Sequence, residues 1–171
     1  MQQAIRFVTA LAVTLCILLQ MPAALASSIF RNLKSEQPES IEDHHVDGKW
    51  LVVMLWSSDC IICNKEAHEY VDFHLRHREQ DAIVLGISID GQDRIQDAQD
   101  FVRKHNVAFQ NLLAEWDSFT EYYEQLTQSR WIGTPSFLIF GPDGELEAKQ
   151  TGAVPPNIIE MFLQQHSSQS S

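Results

Sequence analysis

A chain of 171 residues, 44% hydrophobic and 20% charged, has the composition of one globular domain of ordinary size, and long disorder is excluded as its main character. Its formal net charge of -11 comes with no cluster of Lys and Arg to offset it, so the surface repels phosphate backbones and argues against nucleic acid as a partner.

Met1 to Ala26 places Arg6 before an apolar run from Phe7 to Leu19, with Ala24-Leu25-Ala26 behind it. That pattern predicts a secretory signal cut after Ala26. A retained membrane anchor is the alternative, although the apolar core is shorter than the ~20 residues that span a bilayer. Removing the segment takes away Arg6 and Cys16 and no acid, which leaves Cys60 and Cys63 as the only thiols. Export matters to these two, because compartments outside the cytosol permit stable disulfides and keep machinery for forming and reducing them.

Residues 27–47 are polar, with Pro38 and Glu42-Asp43, and read as an arm or linker with room for one short edge strand. From Gly48 to residue 166 the pattern is that of one domain, followed by a frayed tail at 167–171. Trp50 to Trp56 is a continuous apolar run, as in a central strand covered on both faces. Ser57-Ser58-Asp59 offers N-cap chemistry, and Cys63, Ala67, Tyr70, Val71 and His74 recur at helical spacing, which predicts a helix from about Cys60 to Arg78. Ala82 to Ile89 predicts a second buried strand. Ile95, Ala98, Val102 and His105 then mark an amphipathic helix starting near Asp93. Strand, helix, strand, helix in that order implies parallel strands with right-handed crossovers. After Asn106, Trp116, Phe119 and Tyr123 predict an inserted helix. Ser136 to Phe140 and Leu146 to Gln150, joined by Gly141-Pro142-Asp143-Gly144, predict an antiparallel hairpin, and Pro155-Pro156 opens a last helix to about Gln165.

Cys60-Ile61-Ile62-Cys63 stands where the first strand turns into a helix. The sulfur of Cys60 there faces unpaired amides at the positive end of the helix dipole, which favours its thiolate. Cys60 is therefore the candidate nucleophile, and Cys63, one turn further in, is placed to resolve a mixed disulfide. Half of a zinc site and an inert structural disulfide are the bland alternatives, although no second C-x-x-C or H-x-x-x-H pair is present.

The segment LVVMLWSSDCIICNKE, with Gly48-Lys49 before it and Thr134-Pro135 before the hairpin, resembles thioredoxin and more closely its exported TlpA-like branch. That branch includes the ResA and DsbE reductases of cytochrome c maturation. The resemblance runs from about Gly48 to the last helix. It implies an α/β thioredoxin-like fold whose mixed sheet is flanked by helices, with the strands above ordered second, first, third, fourth. It also implies periplasmic thiol-disulfide exchange with protein thiols or disulfides, no cofactor, and recharging of a reductase by a membrane electron donor. Thr134-Pro135 matches the family's cis-proline site, which holds an extended substrate against the dithiol. Glu66, three residues after Cys63, matches the glutamate that exchanges protons with the buried cysteine, and as a half-buried acid it is expected to have a raised pKa. Trp131, just ahead of the Gly133-Thr134-Pro135 loop, is the aromatic expected to meet a substrate, whereas Trp116, Phe119, Tyr122 and Tyr123 are expected to pack the core.

Three positions depart from the thioredoxin pattern. Asp59 takes the place of a tryptophan and is expected to oppose the helix dipole and blunt Cys60. Ile61-Ile62 supplies no cation to hold a thiolate, which favours the reducing direction. Met54 replaces a buried aspartate, leaving Glu66 to handle the proton. An oxidant or isomerase on the same fold remains open. So does a copper metallochaperone using Cys60, Cys63 and one of His44, His45, His68, His74 or His77. A peroxidase is less favoured, since Ser57 rather than threonine stands three residues before Cys60.

Overall fold

The computed structural model describes residues 28–167; the expected leader at 1–26 and all but the first residue of the expected tail lie outside the described residues. In chain order the elements are β1 Phe30–Asn32, β2 Pro38–Glu39, β3 Trp50–Trp56, α1 Ile61–His77, β4 Ala82–Ser88, α2 Ile95–Lys104, β5 Gln110–Ala114, α3 Trp116–Thr127, β6 Ser136–Phe140, β7 Leu146–Thr151 and α4 Pro156–Ser167. Single 3-10 turns lie at Glu42–His44 and Gln92–Arg94. The strands form one sheet in the order β2-β1-β5-β4-β3-β6-β7. Within it β3, β4 and β5 run parallel, while β6 is antiparallel to β3 and β7 to β6. This is a thioredoxin-like fold, and β4-β3-β6-β7 is the order expected for the four strands read from sequence.

The crossovers β3-α1-β4 and β4-α2-β5 step the same way across the sheet, so the right-handed rule puts both helices on one face. α4 joins them there through Ile159 and Leu163. α3 carries the chain back from β5 to β6 across the opposite face and buries Phe119 and Tyr123. β3 serves both layers. Trp50, Val52, Met54 and Trp56 enter the core under α1, α2 and α4, and Leu51, Val53 and Leu55 enter the core under α3. None of the seven is more than 3% exposed. Burial of each aliphatic one contributes about 1.5–3 kcal/mol, so β3 is held far more firmly than the loop beyond it.

Two segments differ from expectation. Residues 30–39 are a hairpin built into the sheet, with Phe30 opposite both Glu39 and Ala114, and not an arm. Phe30 packs edge-on against Tyr122 with ring centroids 5.1 Å apart. Buried residues as sparse as Phe30, Leu33 and Ile41 leave too little period to announce a strand. β5 has no local signal either: QNLLA carries no alternation, and pairing with β4 on one side and β1 on the other makes it a strand. α2 starts at Ile95 because a 3-10 turn takes up Gln92–Arg94.

His74 ties α1 to the sheet: its Nδ1 accepts the Val84 amide at 3.1 Å in a buried contact. An accepting Nδ1 requires the neutral ring, and burial, reinforced by the Arg78 charge and opposed by Glu79, holds its pKa below 6.5. The unfolded chain takes up the proton first as pH falls. The contribution is therefore complete above the unfolded value and is lost as pH falls through the folded one. His74→Leu is expected to lower stability at pH 7.5 by about 1–3 kcal/mol, the cost of an unmet buried amide. Urea titrations at stepped pH should show that gap narrowing toward pH 5; parallel curves would mean that the ring's charge state contributes nothing.

Candidate active site

The site begins where β3 ends. Trp56 stacks on Phe101 of α2 with centroids 4.1 Å apart, and its Nε1 donates to Asn111 Oδ1 at 3.0 Å. Gly86 of β4 makes room for that bond, since a Cβ there would fall 1.9 Å from Asn111 Oδ1 and 2.9 Å from Trp56 Nε1. With the strand end pinned, the chain turns through Ser57-Ser58-Asp59 and enters α1 at Ile61, with Cys60 itself as N-cap (φ -67°, ψ 109°). Its Sγ accepts the Cys63 amide at 3.0 Å, so the sulfur meets one of the helix's free donors. The cap expected from Ser57-Ser58-Asp59 is thus supplied by Cys60. Cys60 and Cys63 are joined as a disulfide with Cα atoms 5.2 Å apart. Cys60 is partly exposed, whereas Cys63 is 0% exposed.

One turn beyond Cys63, Glu66 is half-buried, and its Oε2 is buried with no hydrogen-bond partner among the described residues. Burial raises its pKa, and the Glu69 charge adds to this against a smaller pull from Lys65. Tyr70, the next turn along, donates to the Val154 carbonyl, and its phenol is pushed up by burial and by the charges of Glu66 and Glu69. The acid therefore sits in a pocket that disfavours its ionised form.

Across from the dithiol lies the 131–135 loop. Thr134-Pro135 is a cis peptide, and Thr134 Oγ1 lies 3.4 Å from Ser57 Oγ, so this loop abuts the turn into α1. The Pro135 carbonyl accepts the Gly152 amide at 2.9 Å. Gly133 has φ +135°, a conformation that other residues rarely adopt. Trp131 is not on the loop's surface. It is 4% exposed, with Phe119 and Trp116 rings 5.0 and 4.5 Å away, because the face of the sheet under α3 claims it. Its Nε1 donates to Ser136 Oγ at 3.3 Å, and that hydroxyl donates to the Gly133 carbonyl at 2.5 Å, so Trp131 shapes the loop from beneath. The exposed apolar side chains at the site are Ile61 at 84%, Ile62 at 45% and Ile132 at 74%. Phe119 and Tyr123 are core residues as expected, but Trp116 is half exposed.

Sequence reasoning missed Asn64, Asp90 and Arg94, and gave Ser58 only a capping role. Asp59 accepts from Ser57 Oγ at 2.9 Å and from Arg94 at 3.0 Å; the serine bond and then the guanidinium hold its carboxyl below the usual range. Its charge, expected from sequence to stand alone beside Cys60, is opposed by Arg94. Asn64 Nδ2 donates to the carbonyls of Ser58 at 2.8 Å and Cys60 at 3.1 Å, and its Oδ1 accepts from Lys104 and His105, both at 3.0 Å. Arg94 and Asp90 come from the end of β4 and the turn after it, and no local pattern links them to the dithiol.

The candidate copper-ligating histidines are scattered. His74 is in the core, His77 pairs with Asp81 and Glu160, His44 with Glu39, and His45 with the Gly141 carbonyl. Among the described residues no group of three or more His, Cys, Asp or Glu side chains converges, and no helix is long and apolar enough to cross a membrane.

Comparison with known proteins places this site in context. Over 93 residues the chain is 28% identical to peroxiredoxin Bcp of Bacillus subtilis (strain 168), a match that takes in 54% of this chain and 57% of that protein's length. The thioredoxin domain of a thiol-disulfide oxidoreductase from Bacteroides vulgatus superposes with a TM-score of 0.62 at 22% identity, over 78% of this chain and 90% of that one. A secreted Mycobacterium tuberculosis disulfide oxidoreductase described as homologous to E. coli DsbE gives 0.54 at 21% identity, over 75% and 88% of the two chains. At such identity these two structures share the fold. The AhpC/TSA family model matches residues 29–149, from the edge of β1 into β7 with the dithiol inside, and the chain is therefore a member of the AhpC/TSA family.

Proposed function

We propose that this protein is an exported thiol-disulfide oxidoreductase that works on protein partners, in the reducing direction, through Cys60 and Cys63. One observation carries the reading. The dithiol is divided between a partly exposed sulfur at a helix N-terminus and a fully buried one, with an unpartnered carboxyl one turn below. In the reduced protein the Cys60 thiolate attacks one sulfur of a partner disulfide. A mixed disulfide forms, and the partner's other sulfur leaves as a thiolate and takes up a proton. Cys63 then gives its proton to Glu66 and attacks the Cys60 sulfur, expelling the second partner thiol. Two electrons pass to the partner, and the Cys60–Cys63 disulfide is left. Thr134 and Pro135 form the wall against which the partner's strand lies, and Trp131 supports that wall from the core. No cofactor takes part. The periplasm has no reducing buffer of its own, so a membrane electron donor is needed to restore the dithiol. Export itself rests on the leader at 1–26, and a role in cytochrome c maturation rests on the TlpA-like resemblance.

A second reading, peroxide reduction, is favoured by the family and by the Bacillus peroxiredoxin. It needs Cys60 to attack an O–O bond, and a thiol-disulfide substrate separates the two activities. The expected result is that C63S accumulates a mixed disulfide with a scrambled protein substrate while C60S forms none. Hydrogen peroxide turnover that survives in C63S, with no mixed disulfide, would favour the peroxidase instead.

The reduction potential tests direction: titration against dithiothreitol is expected to give about -270 mV or below, and a value near -120 mV would make the protein an oxidant.

Glu66 acts as a base only when ionised. Activity is therefore present above its folded pKa and lost as pH falls through it, and burial puts that limb above 4.5. E66Q is expected to slow resolution of the mixed disulfide about 10²-fold and to abolish the acid limb. An unchanged pH profile would remove Glu66 from the reaction.

A further inference from the structure

The residue before the candidate nucleophile is an aspartate, and the structure answers its charge from another part of the chain. Arg94 sits in the turn between β4 and α2. Its Nη1 donates to Asp59 at 3.0 Å and lies 3.3 Å from Asp90, its Nε donates to Asp97 at 3.1 Å, and its Nη2 donates to Ser58 Oγ at 2.7 Å. The same Ser58 hydroxyl donates to Asp90 Oδ1 at 2.8 Å, and the Ser58 amide donates to Asp90 Oδ2 at 2.9 Å. Asp90 also accepts from Ser88 Oγ at 2.7 Å, and its side chain is 0% exposed. A buried carboxylate with three donors and a guanidinium beside it is a satisfied anchor. Both of its links to the turn run through Ser58, two residues before Cys60.

We propose that Arg94 is a positioning residue for the dithiol: it fastens the Ser58-Asp59 turn to the end of β4 and cancels the Asp59 charge beside Cys60, so that the sulfur keeps its reactivity. The inference rests on the thiol-exchange reading above. A guanidinium suits the task because its rigid fork serves several acceptors at once while staying charged at every working pH; an ammonium would serve fewer.

Other charges near the turn do not supply the same counterweight. Asp59, Arg94, Asp97, Asp100 and Lys104 line a groove of about 430 Å³ beside it. Asp100 is paired with Arg103, and Lys104 is engaged by Asn64. His105 also donates to Asn64, and burial with the Lys104 and His68 charges keeps its pKa low. Lys65 and Glu66 belong to α1 itself, and 131–135 contains no titratable side chain. Asp59 is the carboxylate adjacent to Cys60 in the chain, and Arg94 is the cation bonded to it.

The test is a double-mutant cycle on the reduced full-length protein, reading the pH dependence of iodoacetamide alkylation at Cys60 by peptide mass mapping. R94Q is expected to slow alkylation at pH 7 about fivefold by moving the profile to higher pH, and D59N to speed it by a similar factor. In the D59N background R94Q should bring the rate back to within about twofold of the parent, because both charges are then gone. R94K, which keeps the charge, should stay close to the parent. A purely structural role would lower the alkylation rate at every pH without moving the profile. That result, or a profile unmoved by R94Q, overturns the proposal. If R94Q does not fold, D59N and R94K decide: D59N without a gain in rate, or R94K about fivefold slower than the parent, overturns it equally. Failure of the cycle in a protein that still traps partners through C63S leaves the exchange reading intact. A working cycle with no trapped partner sinks that reading alone.

Discussion

A strand buried on both faces must hand its chain to the next element without leaving bare main-chain groups, because no water is available there to meet them. β3 is that strand, and its end at Trp56 sets the start of the turn into α1. The indole is stacked on Phe101 and bonded to Asn111, so the end of the strand cannot drift. The turn to Cys60 therefore departs from a fixed point. Cys60 caps the helix with its own sulfur, and the fold's need to satisfy a free amide and the chemistry's need for a stabilised sulfur are met by one contact.

That junction also divides the dithiol between two environments. On the Cys63 side lie the sealed core, Glu66 with an unmet oxygen, and Tyr70 bonded to the Val154 carbonyl. On the Cys60 side lie Ile61, Ile62 and Ile132, exposed and apolar, and a groove edged with paired charges. Burial disfavours charge in the first region, whereas the second offers exposed surface beside the disulfide. The asymmetry between the sulfurs arises because Cys60 is the N-cap at the open end of α1, whereas Cys63 lies within the helix on the face that packs into the core.

Support for the site comes from distant parts of the chain. β4 ends in Ser88, which donates to Asp90 just beyond the strand, and Asp90 holds Ser58; Lys104 at the end of α2 and His105 after it reach Asn64; the core under α3 takes Trp131, which through Ser136 shapes the loop at Gly133. The β1–β2 hairpin extends the sheet past β5, so the strand carrying Asn111 is flanked on both sides. Each contact is polar and specific, on a scaffold held together mainly by apolar burial.

The sequence by itself determined the elements whose pattern is local. The apolar run of β3, the helical spacing of α1, the turn before β7 and the C-x-x-C between them announced the thioredoxin-like core, its strand order and the placing of Cys60 at a helix start with Cys63 one turn further in. The raised pKa of Glu66 was legible for the same reason, since a carboxylate at the edge of a buried stripe is half-desolvated wherever the helix packs. Tertiary structure alone decided the rest. β5 is a strand because β4 and β1 flank it; Trp131 faces inward because α3 leaves space beneath it; Asp59 is balanced because Arg94, 35 residues away, folds back onto it. Hydrogen bonds and ion pairs of that kind leave no periodic trace in a sequence, for they depend on which loops the sheet brings side by side.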